Sequence, residues 1–208
     1  LAPSLYVPQE ATLRLARRIP LVTILDDLTP ETVPGTMPEW LAPKRRTLEI
    51  AAIIISISES TKQLAMDHYN LSAEKFRVAP LASELVRPDV ARSVRPHERP
   101  YFLVVGNRGG YKNFEATLRA FARLSETTRE ISLVLAGPAI ANYEQVKINA
   151  LGLDGRIHYI GEPDDETLAL LYAHAVALVY PSLSEGFGIP PLEAMICGTV
   201  PIVSNRTS

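Results

Sequence analysis

The chain has 208 residues, 47% of them hydrophobic, enough for a substantial core in one large or two small domains, and this excludes a disordered chain. Its formal net charge of -2 offers no broad attraction to nucleic acid or an anionic membrane, so an anion must be held by a few chosen side chains. The single cysteine, Cys197, excludes an intrachain disulfide and reads as a small core residue in a reducing compartment, with cytoplasm the default.

In chain order, the first strand is predicted over Leu21–Leu25 and the second over Ile53–Ile57. The longest apolar run, Ile50–Ile57, is broken by Ser56 and too short to span a bilayer, and the first residues carry no signal-peptide pattern. Ser58 stands where a helix cap belongs, opening a helix that ends near Asn70, and a third strand follows at Arg77–Ala79. Glu84–Pro100 holds Pro88, Pro96 and Pro100 without apolar periodicity and reads as an interdomain linker. Further strands are predicted at Tyr101–Val105, Ile131–Ala136, Arg156–Ile160, Ala175–Tyr180 and Val200–Val203. Between them, Leu118, Phe121 and Ala122 share one helical face, as do Leu168, Leu171 and Tyr172. Pro190 and Pro191 suit the first turn of a further helix, and Gly198 suits the position past its end.

This alternation predicts an α/β protein with two parallel sheets, over residues 1–83 and 101–208, joined by a linker at 84–100 and binding a ligand at the carboxyl ends of their strands. Because the chain starts at Leu1 and stops at Asn205-Arg206-Thr207-Ser208 just after a strand, both halves are expected to be truncated. The histidines, at 68, 97, 158 and 174, match no common metal-site spacing, so no metal is expected.

Two stretches carry chemistry. Gly106-Asn107-Arg108-Gly109-Gly110-Tyr111-Lys112-Asn113 follows a strand and opens a helix; glycines permit close backbone approach, a helix start offers free N–H groups, and Arg108 and Lys112 add cations suited to a diphosphate. Its spacing is that of neither a Walker loop nor a dinucleotide fingerprint, and an ordinary glycine-rich turn with solvated cations is the plainer alternative. The second stretch, Ser184-Glu185-Gly186-Phe187-Gly188-Ile189-Pro190-Pro191-Leu192-Glu193-Ala194, sets two carboxylates around a glycine-bracketed turn. They read as a surface acid plus a first-turn helix acid or as a glycosidase pair; an anion site beside them disfavours the glycosidase.

The Glu-x7-Glu spacing of Glu185 and Glu193, continued by Ala194-Met195-Ile196-Cys197-Gly198-Thr199, resembles the family 4 retaining nucleotide-sugar glycosyltransferases, as do Val105-Gly106-Asn107-Arg108 with Tyr111-Lys112-Asn113 and Ile55-Ser56-Ile57-Ser58-Glu59-Ser60-Thr61-Lys62. The resemblance covers nearly the whole chain. It implies the GT-B fold, in which two Rossmann-like domains face a cleft, and transfer of a hexose, mannose in type, from a UDP- or GDP-sugar to a glycan or lipid-linked acceptor with retention of configuration. By this resemblance Glu193 meets the donor ribose hydroxyls and Glu185 the transferred sugar, Arg108 and Lys112 hold the diphosphate, and Gly106, Asn107, Gly186, Phe187, Gly188 and Ile189 complete the donor site. Many relatives carry His-Asp where this chain reads Leu25-Asp26, which places Leu25 at the histidine position and leaves Asp26 as the acceptor-side catalytic candidate. The resemblance implies neither a cofactor nor nucleic acid as partner, and a cytoplasmic protein in polysaccharide biosynthesis, with peripheral contact at the inner membrane face left open. The truncated chain is expected to be inactive alone. The competing expectation is a non-catalytic nucleotide-sugar or carbohydrate-binding module of the same fold.

Overall fold

The computed structural model describes residues 19–33, 41–128 and 130–206. They fall into two units: the first holds the described residues up to Leu81 together with Ser184–Phe187, the second Ala82–Leu183 and Gly188–Arg206.

The first unit runs β1 (Val22–Leu25), a one-turn α1 (Thr29–Thr32), α2 (Leu41–Ile50), β2 (Ile53–Ser56), α3 (Glu59–Tyr69) and β3 (Phe76–Val78). Its strands form one parallel sheet in the order β1-β2-β3. The apolar β2 run is the middle strand, and its Ile54 packs with Leu25, Leu28, Leu48, Ala65, Tyr69 and Phe76 in the core. α3 begins as its sequence predicts: Ser58 Oγ accepts the Thr61 N–H at 3.0 Å, and Asn70 closes the helix at φ 54°.

The second unit runs β4 (Tyr101–Val105), α4 (Phe114–Thr127), β5 (Ser132–Ala136), α5 (Asn142–Ala150), β6 (Ile157–Gly161), α6 (Asp165–His174), β7 (Ala177–Tyr180), α7 (Ile189–Ile196) and β8 (Pro201–Val203). All neighbours pair in parallel, in the order β6-β5-β4-β7-β8. Because side chains alternate across a strand, Tyr101, Leu103, Val134 and Ala136 face α6 and α7, packing with Leu171, Tyr172 and Ala194. Val104, Leu133 and Leu135 face the other way, onto Phe114, Leu118 and Phe121 of α4 and Ile148 of α5. Helices thus cover both faces, which is why these strands read as nearly unbroken apolar runs. Central β4 has β5 on one side and β7 on the other, so the strand order reverses at β4 and β7, where loops leaving the strand ends open a crevice.

The stretch 84–100, read from its prolines as a linker, groups with the second unit. It is fastened there by polar contacts: Ser93 Oγ lies 3.0 Å from His174 Nε2 and His97 Nε2 lies 3.0 Å from Ser132 Oγ. Proline removes regular secondary structure and leaves side-chain anchoring possible, so a segment without apolar periodicity can still be fastened to a sheet unit.

Candidate functional site

The glycine-rich loop leaves the end of β4 through Gly106 at φ 87°, makes a 3-10 turn over Gly110–Lys112, and enters α4 through Asn113 at φ 57°. It lies against the loop after β5: a Cβ on Gly137 would come within 2.8 Å of the Gly106 carbonyl oxygen. Asn107 is exposed, and its Oδ1 accepts the Gly109 N–H at 3.2 Å, tightening the turn.

The two cations of this loop have different surroundings. The Arg108 side chain is only 3% exposed and ion-paired to Glu144 of α5, itself 4% exposed, with Nε and Nη2 each 3.1 Å from a carboxylate oxygen. Nη2 also donates to the carbonyls of Pro138 at 2.7 Å and Ala139 at 3.0 Å. Glu144 in turn accepts the Ala141 N–H at 2.8 Å, capping α5. Arg108 therefore binds its own loop to the one after β5. Its Nη1, with Thr117 Oγ1 and Ser182 Oγ, is buried without a hydrogen-bond partner among the described residues, and all three side chains line one small cavity under the loop.

Lys112 stays partly exposed. Its ammonium donates to Tyr180 Oη at 3.2 Å and sits 5.2 Å from the Tyr180 ring centre and 5.1 Å from that of Tyr111. Tyr180 ends β7, so the charge is held at the reversal point of the sheet. Two further bonds join the loops there: Asn113 Nδ2 donates to the Pro181 carbonyl at 3.2 Å, and the Leu183 N–H donates to that of Tyr111 at 2.8 Å.

Glu193 lies on α7, which Gly188 opens at φ 91° with Ile189 as its first residue. Prolines occupy the first turn, and Gly198 follows the helix at φ 86°, as the sequence predicts. Glu193 Oε2 accepts a hydrogen bond from Tyr172 Oη at 2.8 Å, and Oε1 accepts one from Ser83 Oγ at 3.4 Å. Tyr172 is fully buried, and burial together with the neighbouring Glu193 charge pushes its phenol far above the usual tyrosine range, so it remains a hydrogen donor. Neither Tyr172 nor Ser83 was a sequence candidate; Tyr172 was legible only as a core position.

Within the first unit, Glu185, Gly186 and Phe187 form a turn against the end of β1. The Gly186 carbonyl accepts from Ser58 Oγ at 2.6 Å and Thr61 Oγ1 at 3.0 Å. Leu25, assigned the family histidine position, is a core residue 2% exposed, and Asp26 is the exposed residue at the strand end. Behind it, Asp27 Oδ1 accepts the Thr29 N–H at 3.0 Å, while Lys44 donates to the Asp27 carbonyl at 2.7 Å and pairs with buried Glu31 at 2.8 Å. Burial holds the Asp27 carboxyl above the usual carboxylate range, against the pull of the Thr29 N–H and Lys44. No helix among the described residues is long and apolar enough to cross a membrane.

Two parallel-sheet α/β units, with a glycine-rich loop and a carboxylate-bearing helix at the reversal point of the second, define a protein of the GT-B class. The fold is similar to sucrose-phosphate synthase (tll1590) from Thermosynechococcus elongatus, with a TM-score of 0.76 and 22% identity over 94% of this chain and 53% of that one. It is also similar to pneumococcal O-GlcNAc transferase GtfA, solved in complex with UDP and GlcNAc, with a TM-score of 0.69 and 12% identity over 95% of this chain and 40% of that one. The chain belongs to the glycosyl transferases group 1 family, whose model matches residues 87–208. It is 30% identical to O-antigen chain mannosyltransferase B of Escherichia coli over 99% of its own length, and spans 56% of that relative. This is the family that the residues themselves resemble.

Proposed function

We propose that the whole protein is a retaining glycosyltransferase of mannosyltransferase type, moving a hexose from a UDP- or GDP-sugar onto a glycan or lipid-linked acceptor. The observation that carries this reading is the second unit's arrangement of a lysine ammonium at the β4/β7 reversal point and a carboxylate on α7 whose oxygens are aligned by Tyr172 and Ser83. The mannosyl preference is supported by the Escherichia coli relative, and the nucleotide donor by the UDP bound in the pneumococcal enzyme.

In this reading Glu193 accepts hydrogen bonds from the ribose hydroxyls, and Glu185 with the Gly186–Phe187 backbone meets the sugar. When the bond between sugar and diphosphate breaks, negative charge grows on the leaving oxygens, and Lys112 with helix-start N–H groups stabilises it. These groups are proposed to serve without a metal ion. Arg108 contributes by fixing the loop. Asp26, exposed at the end of β1, is the acceptor-side group. A lipid-linked acceptor would bring the protein to the inner membrane face from the cytoplasm.

The test is transfer by the full-length protein from GDP-mannose and from UDP-sugars, with product anomers read by NMR. Lys112→Ala is expected to lower kcat on the order of 10²-fold, by analogy with lost oxyanion donors. Glu193→Ala is expected to weaken binding of the accepted nucleotide by roughly tenfold. A full-length protein that binds neither nucleotide, or a Lys112→Ala variant with the parent rate, overturns the reading.

A further inference from the structure

Inside the first unit, both hydrogen bonds to the Gly186 carbonyl come from hydroxyls at the opening of α3, Ser58 at 2.6 Å and Thr61 at 3.0 Å. Both side chains are buried, 9% and 1% exposed. Ser58 Oγ also accepts the Thr61 N–H at 3.0 Å, so a lone pair is committed to the helix cap, and its one hydrogen has two acceptors in reach, the Gly186 carbonyl at 2.6 Å and Thr61 Oγ1 at 3.0 Å, of which the shorter contact is to Gly186. The opposite side of the turn is just as closely held: a Cβ on Gly186 would lie 2.1 Å from the Asp26 carbonyl oxygen and 2.8 Å from Asp27 Cβ. Two residues before Gly186, Ser184 Oγ lies 3.5 Å from Thr29 Oγ1 and 3.4 Å from Thr32 Oγ1.

From this geometry we infer that Ser58 and Thr61 are positioning residues, clamping the Gly186 carbonyl and so setting the Glu185–Phe187 turn for the donor sugar; the functional half of the inference rests on the glycosyltransferase reading above. The reason lies in the peptide bond. A planar trans peptide points its C=O and N–H in opposite directions, so a carbonyl held by two donors also aims the Phe187 N–H, away from α3. Neither hydroxyl has to touch the ligand. Ser58 has two separable tasks, accepting at the α3 cap and donating to Gly186, and substitutions can divide them.

Ser58→Asp keeps a capping acceptor but brings a carboxylate, with no hydrogen to donate, against the Gly186 carbonyl. Thr61→Val keeps shape and backbone and removes only the hydroxyl, while Ser58→Thr retains both tasks. In the full-length protein, amide hydrogen exchange over residues 184–188 is expected to quicken roughly five- to tenfold in Ser58→Asp and Thr61→Val, with Ser58→Thr like the parent. KM for whichever of GDP-mannose and UDP-glucose is used should rise by a similar factor, with affinity for the bare nucleotide changed by less than about twofold. Unchanged exchange in both variants overturns the clamp. Faster exchange with equal losses for sugar donor and bare nucleotide overturns the positioning role in favour of a general structural one. If neither donor is turned over by the parent, the glycosyltransferase reading falls, and the exchange rates still decide the clamp.

Discussion

The phenol of Tyr172, with no exposed surface, donates to Glu193 Oε2 at 2.8 Å. Tyr172 is itself anchored, since Thr199 Oγ1 donates to its carbonyl. The carboxylate is therefore oriented by a rigid donor, and if it binds the nucleotide as proposed, this lowers the cost of ordering it.

Tyr172→Phe should accordingly weaken nucleotide binding without removing the carboxylate. A hydrogen bond to a charged group contributes about 1.5–3 kcal/mol, and part is regained from water because Glu193 is partly exposed, so a loss near 1.5 kcal/mol, about tenfold in Kd, is expected. Calorimetric titration of the full-length protein with UDP and GDP measures it. Parent-like affinity in Tyr172→Phe alongside a large loss in Glu193→Ala would show that the carboxylate needs no orienting partner.

The pairing of Arg108 with Glu144 makes a stability prediction. Removing one partner of a buried ion pair leaves the other charge uncompensated, so Glu144→Ala should destabilise the protein by about 3–5 kcal/mol. Replacing both partners, as in Arg108→Met with Glu144→Leu, should cost less than the single change, because no charge is left behind. Urea unfolding of the parent and the two variants decides it. A Glu144→Ala variant as stable as the parent would show that the pair does not hold the loop.

That pair marks a limit of what was legible in the sequence. β4, β5 and β7 could be read because strands covered on both faces are apolar at nearly every position, and α3 because Ser58 and Asn70 bracket it. α2 carries Pro43, Lys44, Arg45 and Arg46 in a row and buries little besides Thr47 and Leu48, so its periodicity is weak. Arg108 was legible as a cation beside a glycine-rich turn, but its direction depends on Glu144, 36 residues away on α5, and no local pattern connects them. Ser58 was recognised as a cap, while its second bond, to Gly186 128 residues later, exists only in the folded chain.

Gly186 is expected to tolerate no side chain. The contact of 2.1 Å between an added Cβ and the Asp26 carbonyl oxygen is with backbone, so Gly186→Ala must move the turn or the end of β1, at roughly 1–3 kcal/mol for an overpacked site. Gly109→Ala is the control: there the nearest atom is Asn107 Oδ1 at 3.7 Å, and a change within about 0.5 kcal/mol is expected. Thermal unfolding of the two variants separates a steric requirement from a general intolerance of glycine loss. Equal melting temperatures would remove the close approach from the account of this turn.

Asp27 provides a pH-dependent prediction with a definite sign. Its carboxyl titrates above the ordinary value of 3.8, chiefly because it is buried, with Glu31 and Asp26 adding to the shift and Thr29 and Lys44 opposing it. The folded protein thus holds this proton more tightly than the unfolded chain does. At pH below the ordinary value both states are protonated and the group costs nothing. As pH rises, the unfolded chain ionises first, stability falls until the folded-state pKa is passed, and the penalty is then constant. Asp27→Asn keeps an oxygen to accept the Thr29 N–H, which Asp27 Oδ1 accepts at 3.0 Å, and carries no charge to bury. The variant should therefore melt at the same temperature as the parent near pH 3.5 and at a higher one near pH 7, the gap opening as pH climbs through the two pKa values. The other carboxyl groups titrate in both proteins and largely cancel in the difference. Melting curves across that range give the answer: a gap independent of pH, or a less stable variant at neutral pH, would mean that the Asp27 charge is stabilised by Lys44 more than it is penalised by burial.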